Sequence, residues 1–313
     1  MNSTSTEADS ISTGQYNSGS KRPSSLALAF ALALMLFLWS FNYIAGKIAL
    51  RHLDPISLAC FRIELAAIIM LPIYFSRRQR AALRLRDLWP FAYLGFWGVV
   101  VNQGLFTVGL NYTTSDHSAV IIAIGPIIVL LLARMMKVEA ITPAKIVGMA
   151  VAFAGVFLLE AENGSPARSP LLTGDLITLC GTTGFALYTV LGKKVAEKYD
   201  AIAMNTFNCA AAGIMLLPLT VRQGMHLDWG AVGWAGWLGM IYMAAASSVA
   251  AYTLFYWVLR YMTASRVAAI SYFQPIAVIL LSVAFLNDHP TRNLLLGTAL
   301  VLLGVYLAER GTA

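Results

Sequence analysis

The chain has 313 residues, 58% of them hydrophobic and only 12% charged, against roughly 45 to 50% apolar and about 25% charged in an ordinary soluble domain. So much apolar surface excludes a soluble globule. The net charge of +7 would suggest nucleic acid if the basic residues gathered in one patch, but they lie in short loops between apolar runs, so no nucleic-acid partner is expected.

Residues 1–25 are rich in Ser, Thr, Asn and Gly and lack an apolar stretch; they read as a disordered cytoplasmic tail. The first apolar run is longer than a signal-peptide core, has no small-residue cleavage pattern and is followed by many runs of similar length. A bilayer core of ~30 Å takes about 20 apolar helical residues. The runs do not alternate as barrel strands would, and hydrocarbon leaves helices as the other solution. Ten spans are predicted: Leu26–Lys47, Ile56–Phe75, Leu88–Leu110, Ser115–Met136 and Pro143–Leu159, then Leu171–Leu191, Ala201–Thr220, Ala231–Leu259, Ser265–Leu286 and Asn293–Ala308.

With the N-terminus inside, Lys21, Arg22, Arg77, Arg78, Arg80, Arg84, Arg86, Arg134, Lys137, Lys145, Lys193, Lys194, Lys198, Arg260, Arg266 and Arg310 are cytoplasmic. Only Lys47, Arg51, Arg168, Arg222 and Arg292 face outside. The positive-inside rule selects this orientation, with both termini cytoplasmic. The three cysteines, Cys60, Cys180 and Cys209, fall in separate apolar runs without CxxC or Cys/His spacing; they read as small core residues.

Slid along itself, the chain keeps related residues in step at two offsets. In the first, Gly46-Lys47 falls on Gly192-Lys193, Asp54 on Asp200, Ile56 on Ile202 and Phe61 on Phe207. In the second, Tyr112 falls on Tyr261, Thr114 on Thr263, Pro126 on Pro275, Thr142 on Thr291, Gly148 on Gly297, Gly155 on Gly304 and Glu160 on Glu309. This is the mark of a duplication, with repeats at residues 26–160 and 161–313 and a boundary near Gly164. Each repeat holds five spans, an odd number, so the second enters the membrane from the opposite side. Inverted repeats provide a physical basis for a site that opens to each side in turn.

The first span carries Trp39-Ser40-Phe41-Asn42-Tyr43-Ile44-Ala45-Gly46-Lys47, followed by Asp54-Pro55 and Arg62. With Gly125-Pro126, Gly148, Gly155 and Gly174-Asp175, this resembles an EamA-type module of the drug/metabolite transporter superfamily, over nearly all of Leu26 to Glu309. The resemblance implies ten helices around a central cavity in a bacterial inner membrane and, most often, export of amino acids or related metabolites. The second repeat departs from the opening motif, with Phe185, Ala186 and Tyr188 where the first has Trp39, Ser40 and Asn42. The two copies are therefore expected to contribute unequally to a site.

Ionisable groups at membrane depth are costly unless they face protein or a cavity. Arg62 and Glu64 lie in the second span, with Glu64 near the midplane, and two positions on a helix point about 200° apart. Either one lines the cavity, offering a zwitterion a partner of one sign, or each is an interhelical clamp. Proton coupling through Glu64 is a further expectation.

Asn102 and Gln103, and Asn205 with Asn208 on one helix face, are substrate ligands or interhelical glue. Trp39, Asn42, Tyr188, Tyr252, Tyr256, Tyr272 and Gln274 complete the cavity candidates, with lipid or core packing as the alternative for the aromatic ones. Pro126 and Pro275 free the carbonyls of Ile122 and Ser271; the resulting kinks either expose backbone to a cavity or are static bends.

No GxxxxGK[ST] loop occurs, and His52, His117, His226 and His289 show no metal spacing; no metal or cofactor is expected. A membrane enzyme on a lipid-linked substrate would show paired His or carboxylates at a membrane face, and a sensor a folded soluble extension. The sequence offers neither, which leaves a transporter of a small molecule within a lipid bilayer as the leading reading. It carries no signal for oligomeric state.

Overall fold

The computed structural model describes residues 23–78, 85–136, 142–160, 170–262, 264, 267, 269–287 and 289–310. Residues 1–22, Arg80, Arg84, Lys137, Thr263, Gly164, Arg168 and Arg266 lie outside the described residues. Among the described residues all regular structure is helical.

The chain opens with α1 (Ser25–Ala49), whose first turn is capped by Ser24 Oγ accepting from the Ala27 amide at 3.2 Å. α2 (Pro55–Ser76) starts where Asp54 accepts from the amides of Ile56 and Ser57 at 3.1 and 2.9 Å, with Pro55 at the position where a missing N–H costs nothing. α3 (Leu88–Tyr112) is α-helical at both ends but π-helical over Phe96–Gly104. α4 comprises Ser115–Ile122 and Gly125–Met135, interrupted just before Pro126, which has no N–H to continue the ladder. α5 is Pro143–Glu160.

The second set repeats this order. α6 is Pro170–Ala196, and α7 (Ala201–His226) is capped by Asp200 on Ile202 and Ala203 at 3.0 and 3.1 Å, as Asp54 caps α2. α8 (Trp234–Tyr261) is π-helical over Met243–Ala251. α9 begins as a tight 3₁₀ segment, Ala269–Phe273, and continues as Gln274–Leu286; α10 is Arg292–Arg310. α2 and α7 also carry internal prolines, Pro72 and Pro218, in the register that places Asp54 on Asp200.

Seven helices among the described residues are long and apolar enough to cross a membrane: α1 to α4 and α6 to α8. Three shorter apolar stretches, Pro143–Gly155, Ile270–Leu286 and Arg292–Gly304, lie in α5, α9 and α10. The outer surface carries large apolar side chains such as Leu26, Phe30, Trp89, Ile214 and Leu280, with Ile214 at 75% exposure. Such a surface is at home in lipid rather than water. Cys180, expected in the core, is exposed on this surface while Cys60 and Cys209 are buried. Hydrocarbon accepts a thiol as readily as a packed interior does, so the apolar run did not distinguish the two.

Helix packing follows a pattern of exchange. α1 packs on α8 and α9, α6 packs on α3 and α4, α2 lies against α7, and α5 against α10. The α5–α10 contact shows why its glycines are needed. A Cβ on Gly155 would stand 2.7 Å from the Gly297 carbonyl oxygen, and one on Gly304 would collide with Gly148 and Ala152. The two backbones approach through small residues, as close helix pairs in membranes do.

Candidate functional site

A small cavity lies among α1, α2, α3, α4, α6, α8 and α9. It is bounded by Trp39, Asn42, Tyr43, Arg62, Asn102, Gln103, Phe106, Ile122, Phe185, Ser247, Tyr252, Ser271 and Gln274.

Arg62 is its one charged wall residue. It is 1% exposed, and its guanidinium is held by neutral groups: Nη1 donates to Thr107 Oγ1 at 3.2 Å, and Nη2 to Gln103 Oε1 at 3.2 Å and Ser248 Oγ at 3.0 Å, with the Met243 carbonyl at 3.5 Å. Nε has no partner. Ser248 Oγ also donates to Gln103 Oε1, at 2.6 Å. The guanidinium and hydroxyl both need an acceptor, so Gln103 turns its oxygen to them and its amide nitrogen is left over. These partners come from the π-helical stretches of α3 and α8 and the turns beside them. An i→i+5 stretch widens the helix and re-aims its side chains and carbonyls, which is how α8 brings Ser248 and the Met243 carbonyl to one guanidinium.

The aromatic side of the cavity is a packed layer. Trp39 meets Tyr252 edge-on at 5.3 Å and Phe185 at 5.9 Å, and Tyr188 stacks on Phe255 at 6.0 Å and meets Tyr256 at 5.6 Å. Tyr252 Oη donates to Asn102 Oδ1 at 2.6 Å, and Asn102 Nδ2 to the Gly181 carbonyl at 3.0 Å. This cluster continues through Met35, Phe91 and Tyr199 toward the end of the molecule where Arg77 pairs with Asp200. A second apolar cluster, including Ala49, Leu53 and Leu110, fills the opposite end.

Of the residues singled out from the sequence, Trp39, Asn42, Arg62, Asn102, Gln103, Tyr252 and Gln274 come together around the cavity. The others do not bound it. Glu64 faces α7, where it accepts from Thr220 Oγ1 at 3.2 Å and lies over Gly213; the helical half-turn between positions 62 and 64 directs it away. Asn205 donates to the Ser248 and Val249 carbonyls at 2.9 and 3.1 Å, and Asn208 to Tyr256 Oη at 2.6 Å, both joining α7 to α8. Tyr188 packs within the aromatic layer over Gly98. Tyr256 lies in that layer, and Tyr272 packs against the cluster containing Ile279. Pro126 and Pro275 are not cavity residues themselves, but Ile122 and Ser271, four residues earlier in each case, are.

Sequence reasoning missed Tyr43, Phe106, Phe185, Ser247 and Ser248. Tyr43 adjoins Asn42 in the opening motif, and Phe185 occupies the register position of Trp39, so both carried a signal. Nothing in the sequence separates Ser247 and Ser248 from the small-residue run around them. Among the described residues no three His, Cys, Asp or Glu side chains gather as metal ligands.

Two EamA-like transporter family matches cover residues 26–160 and 172–309. The chain is 28% identical over 279 residues to an uncharacterized transporter of Archaeoglobus fulgidus, covering 88% of this chain and 95% of that protein. It is 25% identical to the uncharacterized transporter YyaM of Bacillus subtilis, covering 89% and 94%. To the uncharacterized inner membrane transporter YedA of Escherichia coli K12 it is 23% identical, covering 91% and 92%. One crystal structure shares the fold at a TM-score of 0.68 and 16% identity, covering 92% of this chain and 99% of that one. By these matches across nearly its whole length, the chain belongs to the EamA-like transporter family.

Proposed function

We propose that the protein is a secondary transporter or facilitator that carries a small metabolite, an amino acid or related compound, outward through the central cavity by alternating access. Its moving parts are two inverted repeats of five transmembrane helices, residues 26–160 and 161–313. The chain resides in a bacterial inner membrane with both termini cytoplasmic.

The observation that carries this reading is a pair of matching contacts at opposite ends of the molecule. Lys47, at the end of α1, donates to the carbonyl of Thr113 just past α3, at 2.5 Å. Lys193, its counterpart near the end of α6, donates to the carbonyl of Met262 just past α8, at 3.1 Å, and to that of Leu259 at 2.6 Å. The register that sets Gly46 on Gly192 pairs the lysines, and the one that sets Tyr112 on Tyr261 pairs their acceptors. Each ammonium caps the orphan carbonyls of a helix C-terminus, a favourable end of the macrodipole for a cation.

One further pair supports the same symmetry. Gly155 closes on Gly297 as Gly304 closes on Gly148. Two near-equivalent halves of opposite orientation give two conformations of similar energy, which alternating access requires.

The test is flux through purified protein in sealed vesicles. A panel of amino acids and small organic acids should include at least one solute that crosses at well above the rate of protein-free vesicles and shows counterflow. No flux for any member counts against the reading.

A further inference from the structure

We infer that the cavity binds a monocarboxylate whose other polar group is a hydroxyl or neutral N–H rather than an ammonium, a 2-hydroxy acid with an apolar or aromatic side chain being the fitting class. The inference rests on the transporter reading only in calling this ligand the substrate; the site itself stands on its own geometry.

Six buried polar atoms without a hydrogen-bond partner belong to residues that bound this cavity: Trp39 Nε1, Asn42 Oδ1, Tyr43 Oη, Arg62 Nε, Gln103 Nε2 and Gln274 Oε1. A buried donor or acceptor left unpaired costs stability, and native proteins leave few of them. Of the fourteen such atoms among the described residues, six gather around this one cavity, where a ligand can supply the missing partners. Four of the six can donate and two are amide oxygens that accept only. The ligand therefore carries a group that accepts several hydrogen bonds and, apart from it, a group that donates.

Charge identifies the accepting group. Among the described residues Arg62 has no acidic partner, and none of the residues bounding the cavity is Asp or Glu. The guanidinium is taken out of water with its charge uncompensated, and an anion is what relieves that burial. A carboxylate matches a guanidinium edge and the neighbouring amide N–H. The cavity is small and has aromatic as well as polar walls, Phe106, Phe185 and Tyr252 among them, which suits one planar anion and an apolar side chain.

Charge also argues against an ammonium. The carboxylate that would pair with one, Glu64, is turned to Thr220 on α7. An ammonium in the cavity would then sit near Arg62 with only amide oxygens and ring faces to replace its water. A hydroxyl donating to Asn42 or Gln274 asks for nothing more than those oxygens provide.

The test is a matched series on the full chain in lipid nanodiscs, measured by calorimetry. Glycolate, lactate, 2-hydroxyisocaproate and 3-phenyllactate are each set against the amino acid of the same side chain: glycine, alanine, leucine and phenylalanine. At least one hydroxy acid is expected to bind at least about tenfold more tightly than its amino-acid twin, and Arg62→Gln to weaken it by at least about tenfold. Since Arg62→Gln removes a buried hub and can unfold the chain, Gln274→Leu is run beside it, with monodispersity and helical content checked; it should weaken the same hydroxy acid and leave the fold intact.

Amino acids binding as tightly as their twins, no hydroxy acid binding, or binding unchanged in a folded Arg62→Gln or Gln274→Leu protein would each overturn the inference. Failure of the transporter reading looks different: hydroxy-acid binding as described, with no flux in vesicles. Flux of amino acids alone would leave the transporter reading standing and remove this one.

Discussion

The two halves of the molecule agree at their ends and disagree at their centre. At the ends, Asp54 and Asp200 cap α2 and α7, Lys47 and Lys193 cap the third helix of their own half, and Gly155 and Gly304 seat α5 on α10. At the centre, the register position of Arg62 is taken by Asn208 and that of Thr107 by Tyr256. The contact survives in both copies: Arg62 donates to Thr107 Oγ1 at 3.2 Å, and Asn208 to Tyr256 Oη at 2.6 Å. Only the first has kept a charge and a place at the cavity; the second is closed over by aromatic rings. Scaffold contacts are used twice, while the one charged residue bounding the cavity, Arg62, belongs to the first copy.

The largest break in this comparison is expected from Arg62 itself. Arg62→Gln should lower flux of the transported solute by about 100-fold or more, because a charge-assisted pair is lost and buried polar groups of the site are left unpaired. The counterpart change Asn208→Ser should cost less than about tenfold, and vesicle uptake rates compare the two directly.

Next come the crossing glycines. Gly155→Leu and Gly304→Leu should each destabilise the folded protein by about 1 to 3 kcal/mol or more through overpacking, to a similar extent because each meets backbone of the partner helix. Thermal unfolding in detergent reads this, and a large inequality between the two would break the comparison at its structural end. The lysines follow. Lys47→Met and Lys193→Met should each slow transport by about tenfold while leaving equilibrium ligand binding nearly unchanged, since each removes a cap on a helix end and neither bounds the cavity.

Asp54→Ala and Asp200→Ala should each cost about 1 kcal/mol for the lost cap. Asp200→Ala should cost slightly more because its pair with Arg77 is partly exposed and contributes roughly 0 to 1 kcal/mol. Glu64→Gln is the smallest: with its carboxylate on Thr220 and away from the cavity, flux and its pH dependence should stay within about twofold.

Much of the fold was legible in the sequence because bilayer thickness and backbone satisfaction each leave a mark on residue order. The predicted spans coincide with the helices to within a few residues, save that α6 and α7 run on past Leu191 and Thr220 to Ala196 and His226. These extra turns carry Lys193, Lys194, Arg222, Gln223 and His226, which interrupt the apolar run, so a hydropathy reading stops short of them. The breaks before Pro126 and Pro275 were legible from the missing N–H.

The site was legible only in part. Composition marks a buried Arg or Asn as exceptional but not which way it points: Arg62 and Glu64 were equal candidates until the helix phase directed one to the cavity and the other to α7. Asn205 and Asn208 stayed open between ligand and interhelical glue because their partners, carbonyls and a hydroxyl on α8, are more than 40 residues away in the chain. The π-helical stretches that gather Gln103 and Ser248 around Arg62 have no composition of their own.

Whether the two ends open in turn is read from spin-label distances in nanodiscs on a cysteine-free background. One pair spans the Lys47 end, at Arg51 and Asn111; the other spans the Lys193 end, at Lys194 and Tyr261. Each pair should show a short and a long distance, and a transported solute should shift the two pairs in opposite directions. A single fixed distance at both ends, or both ends lengthening together, would contradict alternating access by inverted halves.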